Sequence, residues 1–155
     1  MALTAADIMQ TQVITVSPVD PLHAVQRLFF EEEIHGAPVV DDQARVRGMI
    51  TSMDLIRAAT EEKESSEGNN FASAFEEGAG FWPDVSDAFQ NRLSEAVATD
   101  AMTESIVTVS PTATIPEIAR TLRENRIHRV LVVKGEVLLG IISSFDLIGL
   151  LEKEG

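Results

Sequence analysis

The feature that most constrains this chain is an internal repeat. The segment "GMITSMDLI" (48–56) returns 92 residues later as "GIISSFDLI" (140–148). Two further pairs of segments match in the same order, each at a shift of 93 residues: "DIMQTQVITVSP" (7–18) with "DAMTESIVTVSP" (100–111), and "EEIHGAPVV" (32–40) with "NRIHRVLVV" (125–133). Self-similarity of this kind indicates that one structural unit occurs twice in the chain.

Each copy has the same local pattern. A short extended piece, "TVSP", is followed by a helix with apolar residues at helical spacing, then by two apolar strands joined by a turn, then by a second helix. The sequence therefore predicts an α+β fold of two β-α-β-β-α repeats. A repeat of about 50 residues has too little core to be stable alone, so the two are expected to share one.

The repeats set the predicted domain boundaries. Repeat 1 covers residues 1–60, an inserted linker covers 61–97, and repeat 2 covers 98–155. The linker contains the polar run "ESSEGNN", two aromatic residues in "GFWP" and a stretch of helical character. Because such a polar run cannot bury enough surface to order itself, we expect the linker to be partly mobile, with Phe81 and Trp82 docked as an anchor.

Composition excludes several classes of protein. A net charge of −13 repels the phosphates of nucleic acids and of anionic membranes, so neither is an expected partner. The chain has no cysteine, no apolar run long enough to span a bilayer and no secretory signal at its N-terminus. These observations predict a soluble, cytoplasmic protein whose anionic ligands, if any, are held by locally placed cations.

The repeated pattern "TVSP…IH…VV…G-x-I-[TS]-x-x-D-L-I" resembles that of a pair of cystathionine β-synthase-type (CBS) domains, often called a Bateman module. The resemblance implies two repeats related by a pseudo-twofold axis and packed sheet to sheet, with two clefts between them. It also implies a regulatory module that requires no cofactor and binds AMP, ADP, ATP or another adenosyl compound. Carried over residue by residue, it implies these ligand-binding positions: Ile14, Thr51, Asp54, Val107, His128, Arg129, Ser143 and Asp146.

In the family, the aspartate of the repeated motif binds the ribose hydroxyls, which assigns that role to Asp54 and Asp146. An ionised carboxylate can accept hydrogen bonds from both hydroxyls of a cis-diol. Thr51 and Ser143 would contact ribose or phosphate. The alternative is that both aspartates are merely first-turn helix residues stabilised by the helix dipole, and that Thr51 and Ser143 are simply caps.

The remaining assignments concern the base and the phosphate. Ile14 and Val107, on the short first strands, would present backbone groups to adenine and apolar surface to its face. By resemblance, Arg129 would reach phosphate in the cleft of Asp54, whereas Gly36 stands at the matching position of copy one. Arg129 could instead be a solvated surface residue, and His128 could simply pack at the helix-to-strand turn.

No motif of a nucleotide-hydrolysing loop, a serine nucleophile or a metal site occurs, so an enzyme and a metal site are not expected. Two functions remain: a sensor of adenosyl ligands that acts on an effector protein in trans, or a structural module with vestigial clefts. A divalent-cation sensor is a weaker third. A homodimer is expected through apolar residues on the last helix of each repeat: Leu55, Ile56, Leu147, Ile148, Leu150 and Leu151.

Overall fold

The computed structural model describes residues 2–60 and 93–154. The expected mobility of the linker and the docking of Phe81 and Trp82 concern residues outside these ranges. The elements, in chain order, are α1 (Ala5–Ile8), α2 (Leu22–Glu32), β1 (Gly36–Val40), β2 (Val46–Thr51), α3 (Ser52–Thr60), α4 (Ala98–Ala101), β3 (Thr108–Val109), α5 (Ile115–Asn125), β4 (Arg129–Lys134), β5 (Val137–Ser143) and α6 (Ser144–Glu154). The α+β class is confirmed.

The chain forms two compact units that do not coincide with the two sequence repeats. Unit 1 contains Met1–Thr15, Val40–Val46 and Ser105–Gly155. Unit 2 contains Val16–Val39 and Arg47–Glu104. The N-terminal segment of copy one thus belongs to the unit that holds most of copy two, and the first residues of copy two belong to the other unit.

Unit 2 is built around the amphipathic helix α2 and the β1–β2 hairpin. Leu22, Val25 and Phe29 lie at helical spacing on one face of α2 and are buried. They join Val39, Ile50 and other buried residues of the hairpin and of α3 in one apolar cluster. The predicted first strand of copy one is reduced here to a single parallel bridge between Val16 and Val39.

Unit 1 contains a three-stranded sheet in the order β3-β4-β5. β3 pairs in parallel with β4, and β4 pairs antiparallel with β5. Helix α5 covers the sheet with Ile118 and Leu122, which pack in one cluster with Val130, Val132 and Ile142. Ala5 of α1 is buried in the same cluster, so the N-terminal segment is part of this core.

Each unit is completed by a short segment from the other sequence copy. In unit 1, Gln10 and Ile141 exchange backbone hydrogen bonds of 2.9 Å in both directions. In unit 2, Met49 and Thr103 form the matching pair at 2.9 and 2.8 Å. Met9 and Met102 pack against the cores of units 1 and 2 respectively, as expected of core residues.

Two glycines of the repeated motif lie where these segments dock. A Cβ placed on Gly140 would come within 2.7 Å of the Gln10 carbonyl oxygen and of the Met9 sulfur. A Cβ on Gly48 would come within 2.6 Å of the Thr103 carbonyl oxygen. Because real Cβ atoms do not approach backbone oxygen so closely, both positions require glycine. The docking segments therefore explain why "G-x-I" opens the motif in both copies.

The prediction of which residues form the dimer surface is partly wrong. Leu55 lies in the core of unit 2, and Ile56 is also buried, so neither is available to a second copy. Leu147 packs against the core of unit 1. Ile148 and Leu151 of α6 are exposed, together with Phe145. Among the described helices, none is long and apolar enough to cross a membrane.

Candidate ligand-binding site

The repeated "[TS]-x-x-D" motif forms the start of a helix in both units. In unit 2, Asp54 Oδ2 accepts hydrogen bonds from the Thr51 backbone N–H at 2.8 Å and from its hydroxyl at 3.0 Å. Thr51 Oγ1 in turn accepts from the Asp54 backbone N–H at 3.2 Å. This reciprocal arrangement is a capping box, which satisfies donors that the first turn of α3 leaves unpaired.

The other oxygen of Asp54 faces a cation. Asp54 Oδ1 accepts a hydrogen bond from Arg57 Nη1 at 3.0 Å, one turn along the same helix. The Asp54 side chain is only 6% exposed, whereas Arg57 is 65% exposed. The carboxylate is therefore fixed by the helix start on one side and contacted by a solvent-facing guanidinium on the other.

The equivalent carboxylate of unit 1 has the same cap and a different second donor. Asp146 Oδ2 accepts from the Ser143 backbone N–H at 2.8 Å, and Ser143 Oγ accepts from the Asp146 N–H at 3.2 Å. Asp146 Oδ1 accepts from Gln10 Nε2 at 3.0 Å. Gln10 comes from the docked N-terminal segment and carries no charge. Asp146 is half-buried, and so it is more open than Asp54.

The hairpin of each unit carries a second position beside the motif. In unit 1, Arg129 pairs with Ser143 across β4 and β5, so the two side chains lie on the same face of the sheet. In unit 2, a Cβ on Gly36 would lie 3.4 Å from Thr51 Cγ2. Gly36 thus lies beside Thr51 as Arg129 lies beside Ser143, but it has no side chain. Within its own unit, Arg129 thus lies by the Asp146 motif, an arrangement that the sequence analysis did not anticipate.

The residues before each hairpin help to close the motif. Ser52 N–H donates to the His35 carbonyl oxygen at 2.9 Å, and Ser144 N–H donates to that of His128 at 2.8 Å. The His128 side chain itself is exposed. The backbone of the "IH" dipeptide therefore positions the helix start, whatever the imidazole does.

The two residues assigned to adenine lie just outside regular strands. Ile14 precedes the bridge at Val16 and is exposed, so its expected place on a strand is wrong. Val107 immediately precedes β3 and packs partly against the core of unit 1. In unit 1, the structure brings together Ser143, Asp146 and Arg129. In unit 2, it brings together Thr51 and Asp54.

Sequence reasoning missed two residues of these sites, Arg57 and Gln10. A signal for Arg57 was present in the alignment of the copies, whereas Gln10 reaches its site only through the docked N-terminal segment. Arg57 corresponds to Gly149, and Gln10 corresponds to Thr103. At each site a side chain therefore donates to the carboxylate oxygen outside the cap. At the same position the other copy has a glycine in one case and the shorter threonine in the other. Across the described ranges, no group of three His, Asp or Glu side chains could hold a metal ion.

The family model for the CBS domain matches the chain twice, over residues 5–61 and 97–153. The chain belongs to the CBS domain family. Both matches include the "[TS]-x-x-D" motif, and they span most of the chain. The resemblance inferred from the repeated pattern is confirmed, and so is the tandem arrangement of two CBS domains.

Relatives of this CBS pair include proteins much longer than this chain. MJ1225 of Methanocaldococcus jannaschii is 26% identical over 145 residues, which cover 94% of this chain and 41% of that protein. A second protein of that organism, MJ1404, is 27% identical over 141 residues, and only 30% of its length is covered. The chain therefore spans less than half the length of these two relatives.

Two solved structures have the same fold over the full length. CBSX2, solved in complex with AMP, superimposes with a TM-score of 0.69 at 21% identity, covering 99% of both chains. The CBS domain pair of MJ0100, solved with 5′-methylthioadenosine and S-adenosyl-L-methionine, gives a TM-score of 0.63 at 19% identity and complete coverage of both chains. At these identities the likeness establishes the fold.

Proposed function

We propose that the protein is a regulatory module that binds an adenosyl ligand through the ribose of that ligand and acts on a partner protein in trans. The observation that carries the proposal is the set of hydrogen bonds that the two motif carboxylates accept. One oxygen of Asp54 and one of Asp146 are fixed by the helix cap. Within the described part of the chain, the other oxygen of each accepts from one side-chain donor, which a ligand hydroxyl could replace.

The chemistry suits a cis-diol. A carboxylate offers about four acceptor positions on its two oxygens, and two adjacent hydroxyls can donate to them together. The cap holds each carboxylate in one orientation before a ligand arrives, which lowers the entropic cost of binding. Capping and ligand binding are therefore compatible roles for the same aspartate.

The relatives support the ligand class. CBSX2 has been solved with AMP, and MJ0100 with two other adenosine derivatives. The three compounds share adenine and ribose and differ at the 5′ substituent, which is the part that a ribose carboxylate does not contact. The proposal therefore specifies an adenosyl compound, with its 5′ group left to other side chains.

Titration calorimetry with AMP and with adenosine tests the proposal. We expect Asp54→Asn to remove binding at one site and Asp146→Asn at the other, because an amide oxygen can keep the cap but a neutral amide cannot accept from both hydroxyls. Asp41→Asn is the matched control, since Asp41 is a paired carboxylate in the turn after β1 and is not part of either motif. Binding that survives the double variant Asp54→Asn/Asp146→Asn contradicts the proposal.

The resemblance also assigns Arg129 to the phosphate of a ligand at the Asp54 site, and this assignment stays a prediction. Loss of a charge-assisted hydrogen bond costs roughly 1.5–3 kcal/mol, so Arg129→Ala should weaken AMP binding about tenfold or more. Adenosine binding should change much less. Calorimetry in the Asp54→Asn and Asp146→Asn backgrounds identifies the site that Arg129 serves, and loss of AMP affinity only in the former would assign it to Asp146.

A homodimer is part of the proposal, now restricted to α6. Phe145, Ile148 and Leu151 recur every three residues along this helix and are 81%, 52% and 68% exposed. Spacing of three places them along one side of a helix, and contiguous apolar surface of this kind marks an interface. This observation also favours the second candidate, a structural module, which a protein that dimerises and binds neither AMP nor adenosine would establish.

A further inference from the structure

The caps of Asp54 and Asp146 share two backbone hydrogen bonds, Asp54 accepts a further one from the Thr51 hydroxyl, and the two carboxylates differ in what occupies the remaining oxygen. The hydrogen bonds of the cap have matching lengths, 2.8 Å to the carboxylate and 3.2 Å back to the hydroxyl in both units. Oδ1 of Asp54 accepts from the cationic Arg57, and Oδ1 of Asp146 accepts from the neutral Gln10.

The comparison shows that Arg57 is not needed to build the motif. Gly149 occupies its position in α6, and the Ser143–Asp146 cap there has the same geometry. Arg57 also contributes little packing, because two thirds of its side chain is exposed. Asp54 is buried, but the guanidinium faces solvent, where water screens the ion pair and can replace the arginine. The cation at this position therefore calls for an explanation other than the stability of the helix start.

Ligand binding to Asp54 would displace Arg57. Within the described residues, the carboxylate already accepts three hydrogen bonds, two from Thr51 on Oδ2 and one from Arg57 on Oδ1. About one acceptor position is left, and a cis-diol needs two. A diol that binds Asp54 through both hydroxyls therefore takes the place of the guanidinium, which is released beside the ribose to which a 5′-phosphate is attached.

We infer that Arg57 is the specificity-determining residue of the Asp54 site: it pairs with Asp54 in the unliganded protein and moves to the ligand phosphate when ribose occupies the carboxylate. This inference rests on the proposed function and adds the class of ligand, a nucleoside phosphate rather than a nucleoside. In a chain of net charge −13, a released guanidinium is the kind of local cation that a phosphate requires. Its planar fork matches phosphate oxygens.

The mechanism gives Arg57 opposite effects on two ligands. For adenosine, which has no phosphate, Arg57 is only a competitor for Asp54, so its removal should leave affinity unchanged or increase it. For AMP, its removal also deletes a charge-assisted contact, so affinity should fall. A residue that merely supports the fold would change both affinities in the same direction.

Calorimetry in the Asp146→Asn background isolates the Asp54 site. We expect Arg57→Ala to weaken AMP about tenfold or more while adenosine binds as tightly as before or more tightly. Arg57→Lys should restore part of the AMP affinity, because the charge returns without the planar fork. Arg45→Ala is the matched control: Arg45 is also an exposed arginine paired with an aspartate, at 3.1 Å, and lies outside the motif.

The reverse substitution tests the same inference without removing any contact. A Cβ on Gly149 meets no atom within 4 Å, so Gly149→Arg introduces no clash at the base of the new side chain. In the Asp54→Asn background, it should raise the ratio of AMP to adenosine affinity at the Asp146 site.

The outcomes separate the inference from the function on which it rests. If Arg57→Ala leaves the ratio of AMP to adenosine affinity unchanged, or if Arg45→Ala lowers it equally, the role of Arg57 is wrong while the adenosyl site stands. If the wild-type protein binds neither compound, the proposed function is wrong, and the inference with it.

Discussion

Gly48 and Gly140 are the residues at which each unit accepts a segment from elsewhere in the chain. Glycine is needed at both positions because the docked segment leaves no space for a Cβ, not because of an unusual backbone conformation. Gly149 provides the contrast within the same protein: it lies in α6 with open space around it. The three positions make a matched set for measuring what the docked segments contribute.

We expect Gly140→Ala and Gly48→Ala each to lower the free energy of unfolding by roughly 1–3 kcal/mol, because the added methyl group meets backbone oxygen. Gly149→Ala should instead raise it by about 0.5–1 kcal/mol, as alanine favours an exposed helix interior. Urea unfolding followed by circular dichroism measures all three. Equal effects at Gly140 and Gly149 would show that the N-terminal segment does not dock at Gly140 in solution.

Some residues of the site could be predicted from a short stretch of sequence, and others could not. Thr51, Asp54, Ser143 and Asp146 were predictable, because a cap and its helix form within four residues of sequence. The sequence left open whether the aspartates cap or bind. The structure shows that each caps with one oxygen and accepts from a further side chain with the other. Gln10 was not predictable, since it reaches its site only through a docked segment 136 residues away in sequence.

At the scale of elements, helix α5 shows how the chain fixes a helix start outside the ligand motif. Thr114 N–H donates to Glu117 Oε1 at 2.9 Å, and Glu117 N–H donates to Thr114 Oγ1 at 3.3 Å. The bond from the Thr114 backbone N–H lowers the pKa of Glu117 below its ordinary value of 4.5. The ionised carboxylate is therefore the form that the folded protein prefers.

This preference predicts a pH dependence. A carboxyl group whose pKa is lower in the folded state stabilises the fold above its unfolded pKa, and the contribution is lost as pH falls through the folded value. Glu117→Gln keeps an acceptor but removes the charge, so it should destabilise the protein at pH 7 and have little effect near pH 3. Urea unfolding at both pH values measures this, with Glu124→Gln as the control on the same helix. A Glu117→Gln effect that is equal at both pH values would contradict the assignment.

The pattern of elements was largely predictable, and its exceptions have physical causes. The periodic apolar residues of α2 and α5 and the apolar strands of the two hairpins predicted these elements in the right order. The first strand of copy one was overestimated, because only Val16 pairs with the neighbouring strand. Short extended segments of this kind have the sequence pattern of a strand, but whether they form one depends on the strand available to pair with them.

For the whole molecule, α3 and α6 show why the predicted dimer surface had to be revised. The two helices are equivalent in sequence, so both appeared to carry surplus apolar residues. Ile56 and Ala59 of α3 are buried, whereas their equivalents in α6, Ile148 and Leu151, are exposed. Sequence periodicity identifies an apolar face, but only the packing of the units determines which of two equal faces is covered.

We expect the wild-type protein to be a dimer at micromolar concentration and Ile148→Lys to make it a monomer, because a charge in the centre of the apolar face cannot be buried without a partner. Light scattering measures the mass of each. Val19→Lys is the control, since Val19 is 73% exposed and lies outside α6. A wild-type monomer, or a dimer that Ile148→Lys leaves intact, would rule out this interface.

The composition of the two units has a consequence for the order in which they form during synthesis. Domains usually fold from the N-terminus as the chain leaves the ribosome. Here the segment that contains Ala5 and Gln10 is made well before its partners at Ala113 and Ile141. Unit 2 is complete once Glu104 has emerged, so it can fold while unit 1 waits. The nascent chain must therefore keep this segment unpartnered until Ile141 has been made.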